Sequence, residues 1–276
     1  MPVSCRDDAR MRHRVEGVAI SRRVPVQRGL QHTGLRQPGK SSDNCSDPRR
    51  RCPPCAPVPT DPGARMVATL YHSPSTAALV VHWLLIELDI PHALHPLDFE
   101  RGEHKSPQYL ALNPAGVVPT LVLDGQVLTE AAAIVLQLAD LHPQAGLAPA
   151  VGTPERAAYY KWMFFCANTL QPAYRAWFYP SEPAGAGQAE AAQMHARRKL
   201  EAAWTQVDAH LQAHGPYLLG KTVSAADFML TMLMRWSRNM PRPTDTWPAL
   251  RAHAMQMKAR PAFQETYRRE GLTDWT

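Results

Sequence analysis

Tyr71, Ser73, Ser75 and Thr76 put four hydroxyl groups into six consecutive positions, directly ahead of an apolar stretch that starts at Ala77. A hydroxyl beside the free amides that open a helix can hold an anion, since both donate hydrogen bonds and the helix start carries partial positive charge. That junction therefore suits an ionised nucleophile. Glu130 opens a second candidate helix, where a carboxylate is electrostatically favoured. Ser224 and Asp227 stand at the spacing of a helix N-cap pair, and a catalytic reading of them would need a histidine alongside. His195, His210, His214 and His253 follow polar helix faces without an HExxH-type pattern, so no metal centre is expected. Cys166, inside an aromatic-rich helix, reads as a small buried hydrophobe. No glycine-rich phosphate-binding motif occurs, which leaves nucleotide chemistry without support.

The elements that position these residues follow from periodicity and breakers. Val67–Tyr71 is a β-type run ended by His72-Ser73-Pro74, and Ser75 or Thr76 makes a natural N-cap for a helix predicted over Ala77–Leu88. Pro91 stops that helix, and His92–Leu97 reads as a second strand. A short helix over Glu103–Leu112 closes at Asn113-Pro114-Ala115-Gly116. Val118–Leu123, the turn Asp124-Gly125 and Val127-Leu128 make a hairpin, and an Ala-rich helix runs from Thr129-Glu130 to Leu141. This order gives a small sheet with helices on its faces, a parallel crossover first and an antiparallel hairpin last. Gly146–Gly152 reads as a linker. Beyond it, Pro154–Phe165, Ala189–Ala213, Ser224–Trp236 and Pro248–Lys258 read as amphipathic helices of an all-α bundle.

Composition narrows the function classes. A chain of 276 residues suits about two domains. No apolar run approaches the roughly 20 residues that span a membrane, and the first residues lack a signal-peptide pattern, so neither membrane nor secretion is expected. The net charge of +6 is unevenly spread, with +7 in residues 1–65 and −1 in the remainder. That first segment holds 9 prolines and no sustained period, so it is expected to be a disordered basic extension, or untranslated sequence upstream of Met66 read in frame. Cys52-Pro-Pro-Cys55, with Cys45 and His32, has ligand-like spacing there. Its two prolines remove amide donors, no second pair follows, and a zinc site is not expected. No aromatics interleave with the arginines, which argues against nucleic acid as a partner. The single cysteine beyond residue 65, Cys166, fits a reducing cytoplasm.

Three segments carry a resemblance. Leu70-Tyr71-His72-Ser73-Pro74, then Asn113-Pro114-Ala115-Gly116-Val117-Val118-Pro119-Thr120-Leu121, then Leu128-Thr129-Glu130-Ala131-Ala132-Ala133-Ile134 resemble in type and spacing the signature segments of cytosolic glutathione S-transferases. Leu219–Phe228, which contains Ser224 and Asp227, is similar to the capping box of that family's helical domain. The similarity runs from Met66 to the C-terminus. It implies a thioredoxin-like α/β domain over residues 66–145 followed by an all-helical domain over residues 153–276. It also implies a cytoplasmic homodimer of the bacterial Ser/Thr type, acting in detoxification.

The implied co-substrate is glutathione, with no other cofactor and no metal, and the implied partner is a small hydrophobic electrophile. Ionising the glutathione thiol is the chemical task, and lowering its pKa by about two units takes roughly 2.7 kcal/mol of selective interaction with the anion. An ungapped match to Cys-type bacterial members puts their cysteine on Ala77, which leaves the hydroxyls. The order of preference is Ser75, Thr76, then Ser73 and Tyr71. The resemblance makes Pro119 a cis-proline exposing the Val118 backbone to the cysteinyl moiety, with Glu130 and the Ala131 amide receiving the γ-glutamyl end. Trp162, Phe165 and Gln171 are expected among the electrophile-pocket residues. Two alternatives share these residues: glutathione-dependent disulfide or peroxide reduction, and a non-catalytic binding or regulatory protein. The second is suggested by Ala131 and Val117, which stand where the family often has polar residues.

Overall fold

Residues 67–276 are described by the structure, a computed structural model. The expected N-terminal extension and its Cys45, Cys52, Cys55 and His32 lie outside the described residues. Strand β1 (Ala68–His72) leads into helix α1 (Ala78–Glu87), strand β2 (His92–Pro96) and helix α2 (Pro107–Leu112). Strands β3 (Thr120–Leu123) and β4 (Gln126–Thr129) follow, and then helix α3 (Ala131–Leu141). The sheet order is β2-β1-β3-β4, with β1 parallel to β2 and the other neighbours antiparallel. This is the thioredoxin-like plan.

Period-2 burial decides which face each strand residue takes. Ala68, Leu70 and His72 of β1 are buried on the side of α1, while Tyr71 faces the other side and packs 5.7 Å from the ring of Tyr109 on α2. The hairpin turn at Asp124 (φ 48°) and Gly125 (φ 81°) has both central residues left-handed, which matches strand twist and suits Asp-Gly. One expectation shifts locally, and one pair of alternatives is resolved. The predicted helix over Glu103–Leu112 divides into a 3-10 turn at Glu103–Lys105 and α2, because Pro107 opens the second piece after the N-cap Ser106. At α1 it is Thr76, not Ser75, whose hydroxyl accepts a helix amide, that of Ala78 at 3.3 Å.

The second part is all helix: α4 (Pro154–Phe165), α5 (Gln171–Phe178), α6 (Ser181–Ala184), α7 (Ala189–His214), α8 (Ala225–Trp236), α9 (Pro248–Lys258) and α10 (Pro261–Glu270). A π-helical turn over Cys166–Leu170 joins α4 to α5 just before Pro172, so the chain widens there and does not break. The segment read as a linker is anchored: Leu147 is buried, and its carbonyl accepts the first amide of α8 from Ala225 at 2.8 Å. Ala78 through Leu85 of α1 are all buried, which explains its unbroken apolar run. Trp83 packs 4.4 Å from Phe228 of α8 and 4.9 Å from Phe263 of α10, so the two parts share one core.

Asp227 is the polar anchor of that core. Its buried carboxylate accepts from the amide of Leu218 at 2.9 Å and from the amide and hydroxyl of Ser224 at 2.8 and 2.9 Å. Replacing it with alanine removes a helix cap and strands a buried amide, so Asp227→Ala is expected to cost about 2–4 kcal/mol. Urea unfolding followed by far-ultraviolet circular dichroism measures this, and a loss below about 1 kcal/mol would contradict the anchoring role.

Candidate active site

Strand register brings the three signature segments together. Thr120, the first residue of β3, pairs with Tyr71 near the end of β1 and with Thr129 at the end of β4. Antiparallel pairing on both sides means that β1 and β4 run out at the edge where β3 begins. The loop Ser73–Ala77, the pair Val118-Pro119 and the step Glu130-Ala131 therefore meet at one end of the sheet. Three of the four catalytic candidates, Ser73, Ser75 and Thr76, and all four binding candidates lie in these segments, and Tyr71 stands just before them in β1.

The chain before β3 is held by a small polar cluster. Tyr109 donates from its hydroxyl to the carbonyl of Val117 at 2.6 Å and lies 2.8 Å from the Thr120 hydroxyl, while the Asn113 side chain donates to the same two acceptors at 2.8 and 3.0 Å. Burial raises the Tyr109 hydroxyl above its ordinary pKa and keeps it a donor. Gly116 is left-handed at φ 60°, and a Cβ there would fall 2.7 Å from Lys105 Nζ and 2.8 Å from the His104 carbonyl. The Val118–Pro119 bond is cis, and Gly215–Pro216 is a second cis bond that the sequence reading did not anticipate. Among the described residues the Val118 amide and carbonyl have no backbone partner, so this half-buried residue presents a free donor and acceptor, as an edge strand does.

Glu130 has φ 66° although it is not glycine, and its exposed side chain makes no cap contact. Left-handed backbone in a residue of this type costs of order 1–3 kcal/mol and points to a constraint outside local propensity. It leaves the carboxylate at the opening of α3, beside the free amides of Ala131 and its neighbours.

The four hydroxyl candidates have different partners. The Thr76 hydroxyl donates to the Ser73 carbonyl at 2.6 Å and accepts from Ala78, so both its roles are taken. Tyr71 packs at a tilt against the rings of His95 and Tyr109 on the α2 side of the sheet. Ser73 is half-buried and contributes its carbonyl to Thr76. Ser75 is left-handed at φ 65° and is gripped from the helical part. Its amide donates to Glu270 Oε2 at 3.2 Å, and its Oγ accepts from Arg235 Nη1. Arg235 is 1% exposed and donates further to the Tyr267 hydroxyl at 2.7 Å and to Asp274 Oδ1 at 2.5 Å. Burial pushes the Tyr267 hydroxyl up to about 12, so it meets Arg235 as a neutral acceptor. Glu270 also accepts from His82 Nδ1 at 2.8 Å. Arg235, Glu270 and Asp274 are missing from the sequence reading. The available signal was an arginine at the end of the largely apolar run Phe228–Trp236.

The electrophile-pocket expectation needs one correction. Trp162 is 2% exposed and packs between Phe165 and His210, at 5.5 and 4.5 Å, so it belongs to the core. Phe165 and Gln171 are half-buried on either side of the π turn and keep a face toward the surface. Burial raises the Cys166 thiol far above its ordinary value, which makes it inert. Among the described residues no group of three His, Cys, Asp or Glu is arranged to hold a metal ion.

An all-helical domain built onto a thioredoxin-like sheet, with its candidate residues at the sheet end, has the plan of a two-domain transferase. Residues 74–141 match the family model of the glutathione S-transferase N-terminal domain, and residues 167–267 match that of the C-terminal domain. Glutathione S-transferase GST-4.5 of Xanthomonas campestris pv. campestris is 35% identical over 207 residues, covering 74% of this chain and 98% of that one. A solved glutathione transferase from Methylococcus capsulatus is 32% identical, with a TM-score of 0.66 over 75% of this chain and 100% of its own. A transferase homologue from Sulfitobacter, solved with bound glutathione, is 29% identical, with a TM-score of 0.69 over 75% and 99% of the two chains. The chain belongs to the glutathione S-transferase family, a family of transferase enzymes.

Buried His72 at this sheet end and half-buried His92 at the opposite end, across from Ala68, set a pH dependence. His72 is lowered from 6.5 by burial, with Glu270 opposing, and its Nδ1 has no partner. His92 is also lowered by burial; its Nδ1 lies 2.7 Å from the Ile90 carbonyl and its Nε2 is unpartnered. Below pH 6.5 the unfolded chain takes up protons that the folded chain resists, so stability held above that pH is lost as pH falls. The urea midpoint is expected to drop between about pH 7.5 and 5.5, and His72→Gln is expected to flatten the drop. A midpoint that rises on acidification would refute the assignment.

Proposed function

We propose that the chain binds glutathione at this sheet end, ionises its thiol, and directs the thiolate onto a small hydrophobic electrophile. The observation that carries this reading is the unpaired main chain of Val118 at the edge where β1 and β4 end. An extended peptide laid antiparallel against Val118 gains two backbone hydrogen bonds without displacing any protein partner. That is the recognition a tripeptide needs at its central residue. Glutathione's γ-glutamyl end then lies toward α3, its carboxylate on the Ala131 amide and its ammonium on Glu130. The helix start favours the first pairing and the exposed carboxylate favours the second.

Ser75 is the proposed thiol activator. Its Oγ already accepts from Arg235, so its own proton is free to donate to the sulfur. Thr76 has its proton engaged with Ser73. A hydroxyl donor and the nearby cation both favour the thiolate over the thiol. Phe165 and Gln171 are proposed to border the electrophile. The working form is read as a cytoplasmic homodimer of Ser/Thr character acting on reactive electrophiles, with support from the family and from the lone, buried thiol of the described residues.

Calorimetry with glutathione, combined with thiolate absorbance against pH, tests the assignments. Glu130→Ala is expected to weaken binding at least about tenfold, which is about 1.4 kcal/mol. Ser75→Ala is expected to bind within about threefold of the parent, while half-ionisation of the bound thiol rises by about one to two pH units. No binding at about 10 mM glutathione, or a Glu130→Ala variant that binds unchanged, would overturn the reading.

A further inference from the structure

We propose that Arg235 is a positioning residue that activates Ser75 from the helical domain, and that Asp274 in the C-terminal tail sets how strongly it does so. This rests on the proposed role of Ser75. Arg235 lies in the last turn of α8, buried, with its guanidinium divided among three partners: Ser75 Oγ, the Tyr267 hydroxyl and Asp274 Oδ1. The buried cation meets one carboxylate directly, and that carboxylate is shared, because Arg238 Nε donates to Asp274 Oδ2. Burial opposes ionisation of Asp274, and the two arginines outweigh it, so the acid stays ionised below its usual range.

The charges around Ser75 can be followed element by element. Arg235 comes from α8 and Arg238 from the turn after it, Tyr267 and Glu270 from α10, Asp274 from the tail, and His82 from α1. Glu270 is turned toward the Ser75 amide and His82, and Asp274 is turned toward the two arginines. The Ser75 oxygen therefore faces Nη1 of a guanidinium whose counter-charge is held on Nη2. Three consequences follow. The serine rotamer is held by a bond from the neighbouring domain. Its oxygen is occupied as an acceptor, so its proton points elsewhere. Its O–H is polarised by a cation that is itself buried, where its field acts more strongly than in solvent. Asp274 opposes that field.

This arrangement gives an unusual signature: the two members of one ion pair should shift the thiol in opposite directions. The full-length protein and its variants are compared by thiolate absorbance of bound glutathione against pH, with calorimetric affinity and far-ultraviolet circular dichroism as controls. Arg235→Gln is expected to raise the half-ionisation pH by about one unit, and Asp274→Asn to lower it by about half a unit. Affinity should stay within about threefold in both, because neither group touches the peptide. Arg235→Lys, which keeps the charge but loses the fork, should fall between the parent and Arg235→Gln. Asp274 has a side chain 47% exposed, so its variant reports even if a replacement of Arg235 fails to fold.

Loss of a merely structural clamp would disturb Ser75 in the same sense from either partner. Shifts of the same sign, or no shift on Asp274→Asn while Ser75→Ala does shift the thiol, would overturn the role of the pair. No shift on Ser75→Ala would instead remove the serine assignment beneath it, and absence of glutathione binding would remove the site.

Discussion

Everything at the sheet end depends on the antiparallel pairing of β3 between β1 and β4. Thr120 is the residue where this is decided, since it stands opposite Tyr71 on one side and Thr129 on the other. Its buried hydroxyl also takes the Asn113 and Tyr109 groups that hold Val117. A slip of β3 by one residue would turn its buried side chains to the wrong face and carry Val118 away from the loop after β1. The site is thus a property of register before it is a property of any single side chain.

The second organising feature is the set of polar contacts between the sheet part and the helices. Burying Arg235, Glu270 and His82 costs desolvation, and apolar replacements of similar shape often match or exceed such groups in stability. Their arrangement suggests specificity: the two ends of Ser75, amide and hydroxyl, are bonded to α10 and α8 respectively. The apolar contact of Trp83 with Phe228 and Phe263 brings the two parts together, and the polar contacts set the orientation of one loop. This division of labour matches what each force does best, since burial is non-directional and hydrogen bonds are not.

The fold was largely legible in the residues because its signals are local. Asp124-Gly125 marks the hairpin, Pro91 ends α1, Pro154 and Pro248 open helices, and Ser224 with Asp227 caps α8. The helices missed in that reading, α5, α6 and α10, are short and each carries a proline, and α10 is mostly polar outside Phe263 and Tyr267. The three signature segments fixed where a site would be. What escaped was everything requiring knowledge of distant pairs: Arg235 lies 160 positions from Ser75, and no periodicity links them. Trp162 was misjudged for a related reason, because an aromatic at helical spacing faces core or cleft according to what lies across from it, here His210 of α7.

Glu130 and Ser75 share a backbone state that favours glycine, at φ 66° and 65°. A glycine at either position would relax the chain by roughly 1 kcal/mol while removing the carboxylate or hydroxyl there. Selection for foldability alone therefore pushes both positions toward glycine, and on the proposed function selection for chemistry pushes them back. The two pressures oppose each other at both positions, and directed evolution for thermal tolerance, without a screen for turnover, would be drawn to erase these side chains first.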